Sequence, residues 1–322
     1  MTTFTFVPTW VVQDLVVYVL AAIVIAYIVR REPHPAARAM ELCSFTLLYS
    51  AVFENAATLA HLYTFGQSLV MVFNVPLSVP VFEAILTYST LRVLAATRMP
   101  TWLKPLTAGL VAIVADFSLD TVAVKDFHDG VARWTWHTPP GHVMIYDEPV
   151  SNFTGWAPLV GYAATFFLLG RWWHRKSGYA KAVGYVYPVA AALAALLCMF
   201  SPITSFLLYL TPFFAPGSPA EVVMLAVLLV VPAVLLALFW RGRMSARLSL
   251  ADDLPIFLVI GGVPVVNLVF CVVIGATQIL WLVTLAGCVL WAALAGVYAA
   301  GQKVDGSSGQ RPRPTAPLPT AS

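Results

Sequence analysis

The sequence predicts an all-α fold: a polytopic transmembrane helix bundle of about nine spans, with the N-terminus outside and the C-terminus in the cytoplasm. The chain of 322 residues is 60% hydrophobic and only 10% charged, whereas an ordinary soluble domain is about 25% charged. Its apolar residues form long unbroken runs, unlike the ~10-residue alternating segments of a membrane β-barrel. These features, with a net charge of only +3, argue against a soluble enzyme, a disordered scaffold and a nucleic-acid binder.

Nine apolar runs are long enough to be spans, because a membrane-crossing helix needs about 20 apolar residues. They cover 9–29, 40–62, 69–92, 105–125, 153–171, 183–210, 220–240, 254–275 and 278–299. The second run is unusual in carrying Glu41 and Glu54, and the sixth is interrupted by Pro202.

The basic residues support this count and predict the orientation, since cytoplasmic loops collect Lys and Arg. All but two of the 18 basic residues follow odd-numbered spans, and the exceptions are Lys125 and Arg133. We therefore expect a multi-pass protein of the cell membrane, with residues 1–301 forming a single transmembrane domain. The remaining residues, 302–322, are rich in Ser, Pro, Gly and Thr, which predicts a disordered cytoplasmic tail.

Ionisable side chains inside predicted spans point to function, because a charge at membrane depth is costly. Glu54 and Asp116 lie in the outer halves of the second and fourth spans, and Asp120 lies near the end of the fourth. Asp116 and Asp120 are four residues apart and share one helix face. Asp14 and Glu83 are also intramembrane, although each could equally serve only to hydrogen-bond neighbouring helices.

The longest connection, residues 125–151, lies on the same outer side. It is rich in aromatic, acidic and His residues, so we expect an ordered loop that forms part of the site. Its Trp134 and Trp136 could alternatively belong to an interfacial aromatic belt. Its three histidines lack the spacing of a helical metal-binding pair, and the four cysteines lack C-x-x-C spacing. We therefore expect no metal site.

Two groups of motifs resemble the carotenoid biosynthesis family of integral-membrane carotenoid hydratases, which act on bisanhydrobacterioruberin and on γ-carotene or lycopene-type ends. The first group is DFSLDTVAV, ARWTW and YDEPVSNFTGW, and the second is FENAATLAHLYTFGQS followed by NVPLSVP. The matches extend from Phe53 to Trp156. The sequence departs from the family pattern at Thr121, where the family has Pro, and at Asp147–Glu148, where it has Gly-Val.

The resemblance implies that water is added to the terminal isoprenoid double bond of a linear carotenoid end, giving a tertiary alcohol without any cofactor. This chemistry needs an acid for the alkene, aromatic faces for the tertiary cation and a base for the attacking water. The implied catalytic residues are Glu54, Asp116, Asp120 and Asn152. The implied substrate contacts are Trp134, Trp136, Tyr146, Phe153 and Trp156. The expected partners are a hydrophobic substrate from the bilayer, membrane lipids and other carotenoid enzymes, and no nucleic acid.

Two other functions stay open. A UbiA-type polyprenyl transferase or carotenoid elongase also has about nine spans, and Asp116-x-x-x-Asp120 has the spacing of one of its Mg²⁺-binding motifs. The second aspartate motif and the outer basic residues for a diphosphate are missing, however. A non-enzymatic lipid transporter would suit the Pro-interrupted spans, but the sequence shows no convincing internal repeat.

Overall fold

Helices dominate the computed structural model, which describes residues 7–138, 140–208, 219–240 and 248–307. The helices are α1 (Thr9–Arg31), α2 (Pro35–Ser44), α3 (Ala51–Leu59), α4 (Ser78–Ala95), α5 (Leu103–Ala123), α6 (Val150–Lys176), α7 (Lys181–Met199), α8 (Pro202–Leu208), α9 (Pro219–Trp240), α10 (Leu254–Phe257), α11 (Val263–Val273) and α12 (Leu280–Ser307). Two π-helical turns, Phe45–Ser50 and Leu258–Gly262, join α2 to α3 and α10 to α11, and the 3₁₀ turn Thr277–Ile279 precedes α12.

Eight helices in the described ranges are long and apolar enough to cross a membrane. They correspond to every predicted span except the third, so the chain is a membrane-embedded, mainly helical protein. The third predicted span, 69–92, is instead a β-hairpin followed by α4, a largely buried helix that carries Glu83 and Arg92. The number of crossings and the positions of the two termini stay predictions.

The ends of two other predicted segments can be compared only in part. The predicted sixth span, 183–210, is divided into α7 and α8, with the break before Pro202; residues 209 and 210 lie outside the described residues. The helix α12 continues through Ser307, into the segment predicted as a tail. The rest of that tail, residues 308–322, also lies outside the described residues.

Short strands connect the helices at one end of the bundle. They are β1 (Tyr63–Phe65), β2 (Met71–Val72), β3 (Val75–Pro76), β4 (Phe127–His128), β5 (Val131–Ala132), β6 (Trp134–Trp136), β7 (Met144–Ile145) and β8 (Glu148–Pro149). β1 pairs with β6 in antiparallel register, with Thr64 opposite Thr135. The other strands form the hairpins β2–β3, β4–β5 and β7–β8. The long connection is therefore ordered, as expected.

The helices and strands reveal an internal repeat. The first repeat is α3–β1–β2–β3–α4, and the second is α5–β6–β7–β8–α6, with the hairpin β4–β5 inserted after α5. VMVFNVPLS, which ends at Ser78, and VMIYDEPVS, which ends at Ser151, form hairpins of the same register. Equivalent backbone hydrogen bonds, Leu77 N–H to Val70 O and Val150 N–H to Val143 O, close both hairpins. The sequence alone did not show this repeat convincingly, because the similar segments are short and lie far apart along the chain.

The helix α5 is central and packs against α4, α6, α9, α11 and α12. Its approach to α6 is closest at Gly109, where a Cβ atom would lie only 2.9 Å from the carbonyl oxygen of Ala157. Small residues commonly allow membrane helices to pack this closely. The contact brings the last turns of α5, with Asp116 and Asp120, against the start of α6, with Asn152.

The close approach predicts that Gly109→Ala destabilises the bundle, because the added methyl group would overlap the α6 backbone. Overpacking of this kind costs about 1–3 kcal/mol, and it should appear as a lower Tm of the protein in detergent. Gly161→Ala is the matched control on the same interface, since its Cβ would lie an ordinary 3.7 Å from the Pro105 carbonyl oxygen. Equal Tm values for the two variants would contradict the role of Gly109.

Candidate active site

A cavity of about 210 Å³ opens at the end of the bundle where the strands lie, between α3, α4, α5 and α6. Six of the predicted site residues line it together: Glu54, Asp120, Trp134, Trp136, Asn152 and Trp156. Asp116 lies one helical turn from Asp120 and is fully buried behind it. The sequence thus identified residues that are far apart along the chain but meet around one cavity.

Three carboxyl groups converge beside this cavity. Oxygens of Asp116, Asp120 and Glu148 lie within 4.8 Å of one another, and all three residues are buried. Asn152 Nδ2 donates to Asp116 Oδ2 at 3.0 Å, to Asp120 Oδ2 at 2.8 Å and to Glu148 Oε1. An amide nitrogen carries only two hydrogens, so it cannot satisfy three ionised carboxylates at once. Because like charges this close disfavour ionisation, we infer that the cluster retains at least one proton.

The hairpin β7–β8 places Glu148 in this cluster. Glu148 pairs with Ile145 across the hairpin, and it precedes Asn152 by four residues at the start of α6. The turn residues Tyr146 and Asp147 have φ angles of 53° and 71°, as a two-residue hairpin turn requires. An ion pair from Lys125 to Asp147 ties the turn to the chain just after α5.

A second pair of acids lies on the α3 and α4 walls of the cavity. Glu54 accepts a hydrogen bond of 2.6 Å from the Tyr63 hydroxyl. Glu83 is only 2% exposed, and its Oε2 has no hydrogen-bond partner. Glu54, Glu83 and Asp120 all line the cavity. Carboxyl groups therefore approach the cavity from two sides.

Aromatic rings cover the cavity on the strand side. The antiparallel pairing of β1 with β6 brings Tyr63 to Trp136, with ring centroids 4.6 Å apart, and Phe65 to Trp134 at 4.5 Å. The indole N–H groups of Trp134 and Trp136 are buried and have no partner. Both rings therefore face the site, and Trp134 is too well buried, at 7% exposed, to belong to an interfacial belt.

Asp14 in α1 anchors the strand that carries these tryptophans. Its carboxylate accepts hydrogen bonds of 2.6 Å from Ser68 Oγ and Ser78 Oγ, and of 2.8 Å from the Leu69 N–H. It also forms an ion pair of 2.6 Å with Arg133, the residue before Trp134. Asp14 has every contact a structural carboxylate needs, so it positions the site and lies outside the cavity lining.

Two predicted substrate contacts do not line this cavity. Phe153 is fully buried and stacks on Phe117, with ring centroids 4.4 Å apart. It follows Asn152 on the helix, and successive helical side chains point in directions about 100° apart. Tyr146 lies at the hairpin turn, where its hydroxyl accepts a hydrogen bond of 2.7 Å from the Trp281 indole.

Sequence reasoning missed several residues of the site. The sequence showed Glu148 only as a departure from the family pattern. Its spacing of four residues from Asn152 could have indicated that the two side chains share one face of a helix. Tyr63 gave no signal, because its role depends on strand pairing. His137 and His142 also line the cavity; His142 pairs with Glu221 at 2.9 Å, and His137 contacts Thr64.

In the described residues, only Asp116, Asp120 and Glu148 are grouped closely enough to hold a metal ion.

A family model described as carotenoid biosynthesis protein matches residues 13–230, which include every side chain of this site. The chain belongs to the carotenoid biosynthesis protein family. No curated protein and no solved structure matches the chain. Membership of the carotenoid biosynthesis family assigns the protein a role in carotenoid biosynthesis, and the reaction has to be argued from the cavity itself.

The charge state of Glu148 predicts a pH effect on this family member. Burial, reinforced by the nearby Asp120 carboxylate, raises the pKa of Glu148 well above its ordinary value. The folded state then binds a proton that the unfolded state has lost, so this group lowers stability as the pH rises above the unfolded pKa of about 4.3. We expect Glu148→Gln to raise the Tm more at pH 7.5 than at pH 5, measured by thermal unfolding in detergent.

The neighbouring variant Asp147→Asn is the control, because the Asp147 side chain is 76% exposed. Its effect on Tm should be the same at the two pH values. A gain for Glu148→Gln that does not change with pH would mean that Glu148 is ionised in the folded protein at both.

Proposed function

We propose that the protein hydrates the terminal isoprenoid double bond of a linear carotenoid end. The observation that carries this proposal is the cluster of Asp116, Asp120 and Glu148 around one Asn152 amide, next to a cavity with aromatic walls. Such a cluster can give up a proton and take one back, and acid-catalysed addition of water needs both steps. A hydrophobic substrate would enter from the bilayer.

The first step is proton transfer to the alkene. A carboxyl proton passes from the Asp116–Asp120–Glu148 cluster, through Asp120 at the cavity wall, to the less substituted carbon of the double bond. The π electrons form the new C–H bond, and a tertiary cation remains on the carbon that carries two methyl groups. The faces of Trp134, Trp136 and Trp156 can stabilise that cation, by about 2 kcal/mol for each desolvated contact.

The second step is attack by water on the cation. The water oxygen forms the C–O bond, and an ionised carboxylate takes the extra proton, which leaves a tertiary alcohol. Glu54 is suited to this base role, because it lies on another wall of the cavity from the acid cluster and the Tyr63 hydroxyl orients it. The proton balance is then restored by exchange between the carboxyl groups, so the reaction consumes only water.

The prenyl transferase has one observation in its favour. The cluster of Asp116, Asp120 and Glu148 is also a geometry that could hold a divalent cation. A diphosphate leaving group needs positive side chains as well. The described residues that line the cavity include no Lys or Arg, and Arg133 nearby is held by Asp14. We therefore place this function second, and transport third.

The proposal predicts the effect of removing each acid in a host that produces lycopene. Glu54→Gln, Asp116→Asn and Asp120→Asn should each lower hydrated product by about 10²–10⁴-fold, the usual contribution of general acid–base catalysis. Mass analysis of the pigments should show one added water per modified end for the unaltered protein. Asp129→Asn, at an exposed loop position, is the control and should retain full activity.

Full hydration by all three acid variants would contradict the assigned roles. Gain of a five-carbon unit by the pigment would support the transferase instead, and an unchanged pigment would favour transport.

Metal dependence separates the two enzymatic functions independently of the pigments. A hydratase that shares protons within its carboxyl cluster should keep its activity when the purified protein is treated with EDTA. A transferase would lose its activity and regain it with Mg²⁺. Loss of hydration in EDTA that Mg²⁺ restores would show that the cluster binds a metal rather than protons.

A further inference from the structure

A second, smaller space adjoins the cavity of the candidate active site. A cavity of about 60 Å³ lies between α1, α4, α5 and α11, and it shares Glu83, Trp134 and Trp156 with the cavity of about 210 Å³. The two spaces are therefore neighbours, with these three side chains on the boundary between them. We call them the first lobe, which contains the carboxyl cluster, and the second lobe.

The second lobe is built from positions that correspond to those of the first lobe. The hairpin match aligns Asn152, Gly155 and Trp156 of α6 with Val79, Phe82 and Glu83 of α4. The α6 residues line the first lobe, and the α4 residues line the second. Trp156 and Glu83, which are equivalent, are both at the junction.

The other helix of each repeat shows the same relationship. Phe53-Glu54-x-x-Ala57 in α3 matches Leu119-Asp120-x-x-Ala123 in α5. Phe53 and Ala57 line the first lobe, whereas Leu119 and Ala123 line the second. The two lobes are thus repeated versions of one cavity, each formed by one helix from either repeat.

The lobes differ at the two positions that decide their chemistry. The amide of Asn152, which organises the carboxyl cluster, corresponds to the apolar side chain of Val79. The open position of Gly155 corresponds to the bulky ring of Phe82, which explains the smaller volume of the second lobe. The second lobe is therefore narrower. Its lining is mainly apolar, although Gln13, Ser78, Arg133 and Asn267 also line it, and it adjoins the first lobe at Glu83, Trp134 and Trp156.

We propose that the second lobe is a binding subsite for the apolar chain segment next to the reacting end of the substrate, and that Val79 and Phe82 determine what it accepts. This subsite rests on the proposed function for its substrate class. The reacting end occupies the first lobe, and the adjoining chain passes between Glu83, Trp134 and Trp156. The occupant is a slender, acyclic isoprenoid chain, because most of the lining is apolar and a space of about 60 Å³ has no room for a ring.

Binding can be tested without any catalytic turnover. Lycopene is titrated into the purified full chain in detergent, and quenching of tryptophan fluorescence reports binding, since Trp134 and Trp156 lie at the junction. Val79→Asn places in the second lobe the amide found in the first, and Phe82→Trp fills the lobe. Each should raise the Kd for lycopene by about tenfold or more, from the cost of desolvating the amide or from lost space.

Two matched variants separate the subsite from catalysis and from general damage. Asp120→Asn should keep the Kd within about threefold while it lowers hydration by about 10²–10⁴-fold. Phe117→Trp, at a phenylalanine that packs on Phe153 outside both lobes, should also bind lycopene normally. Thermal unfolding of each variant checks that it is folded. If Phe82→Trp does not fold, Val79→Asn still tests the subsite, because it adds no bulk.

The outcomes distinguish this subsite from the proposed reaction. If the unaltered protein binds lycopene in a manner that depends on Val79 and Phe82 but adds no water, the subsite holds and the hydratase function fails. If folded Val79→Asn and Phe82→Trp bind as tightly as the unaltered protein, or if the unaltered protein does not bind lycopene, the subsite is overturned.

Discussion

The site depends on one electrostatic constraint: three carboxyl groups lie within 4.8 Å of one another inside a membrane-embedded bundle. Like charges at that distance repel strongly where the dielectric constant is low. The cluster is tolerable only if it keeps protons and if strong packing holds its members together. Asn152 supplies the hydrogen bonds, and the contact of Gly109 with Ala157 supplies the packing. A site built under this constraint retains a proton available for transfer.

The hydrogen bonds of the buried acids divide them into two kinds. Asp14 accepts from two hydroxyls and a backbone N–H and pairs with Arg133, so its charge is fully compensated. Glu83 and Asp120, in contrast, each have an oxygen that is buried without a partner. A compensated carboxylate is stable as an anion and holds elements in place. An uncompensated one is a candidate for proton transfer, which agrees with its position at the cavity.

The sequence predicted the features that depend on composition and on the spacing of residues within one helix. Long apolar runs predicted the helices, and the costly intramembrane acids predicted Glu54 and Asp120. The third predicted span includes the β2–β3 hairpin because that hairpin is itself apolar and adds to the length of the run. Tyr63 and Glu148 escaped because their positions depend on strand pairing and a hairpin turn. Phe153 lies outside the cavity lining, which the motif could not show, because a motif does not tell which way each helical side chain points.

The repeat explains why two lobes with equivalent walls contain only one carboxyl cluster. Asn152 in the first lobe and Val79 in the second occupy equivalent positions of the repeat. Of these two residues only Asn152 has an amide, so only the first lobe can gather carboxyl groups around this position. The junction between the lobes has the equivalent residues Glu83 and Trp156, one acidic and one aromatic. A chain that passed this junction would have a carboxyl group on one side and an indole ring on the other. Divergence at equivalent positions thus makes the two lobes chemically different, which is the asymmetry that the proposed subsite needs in order to distinguish the reacting end of a substrate from the rest of its chain.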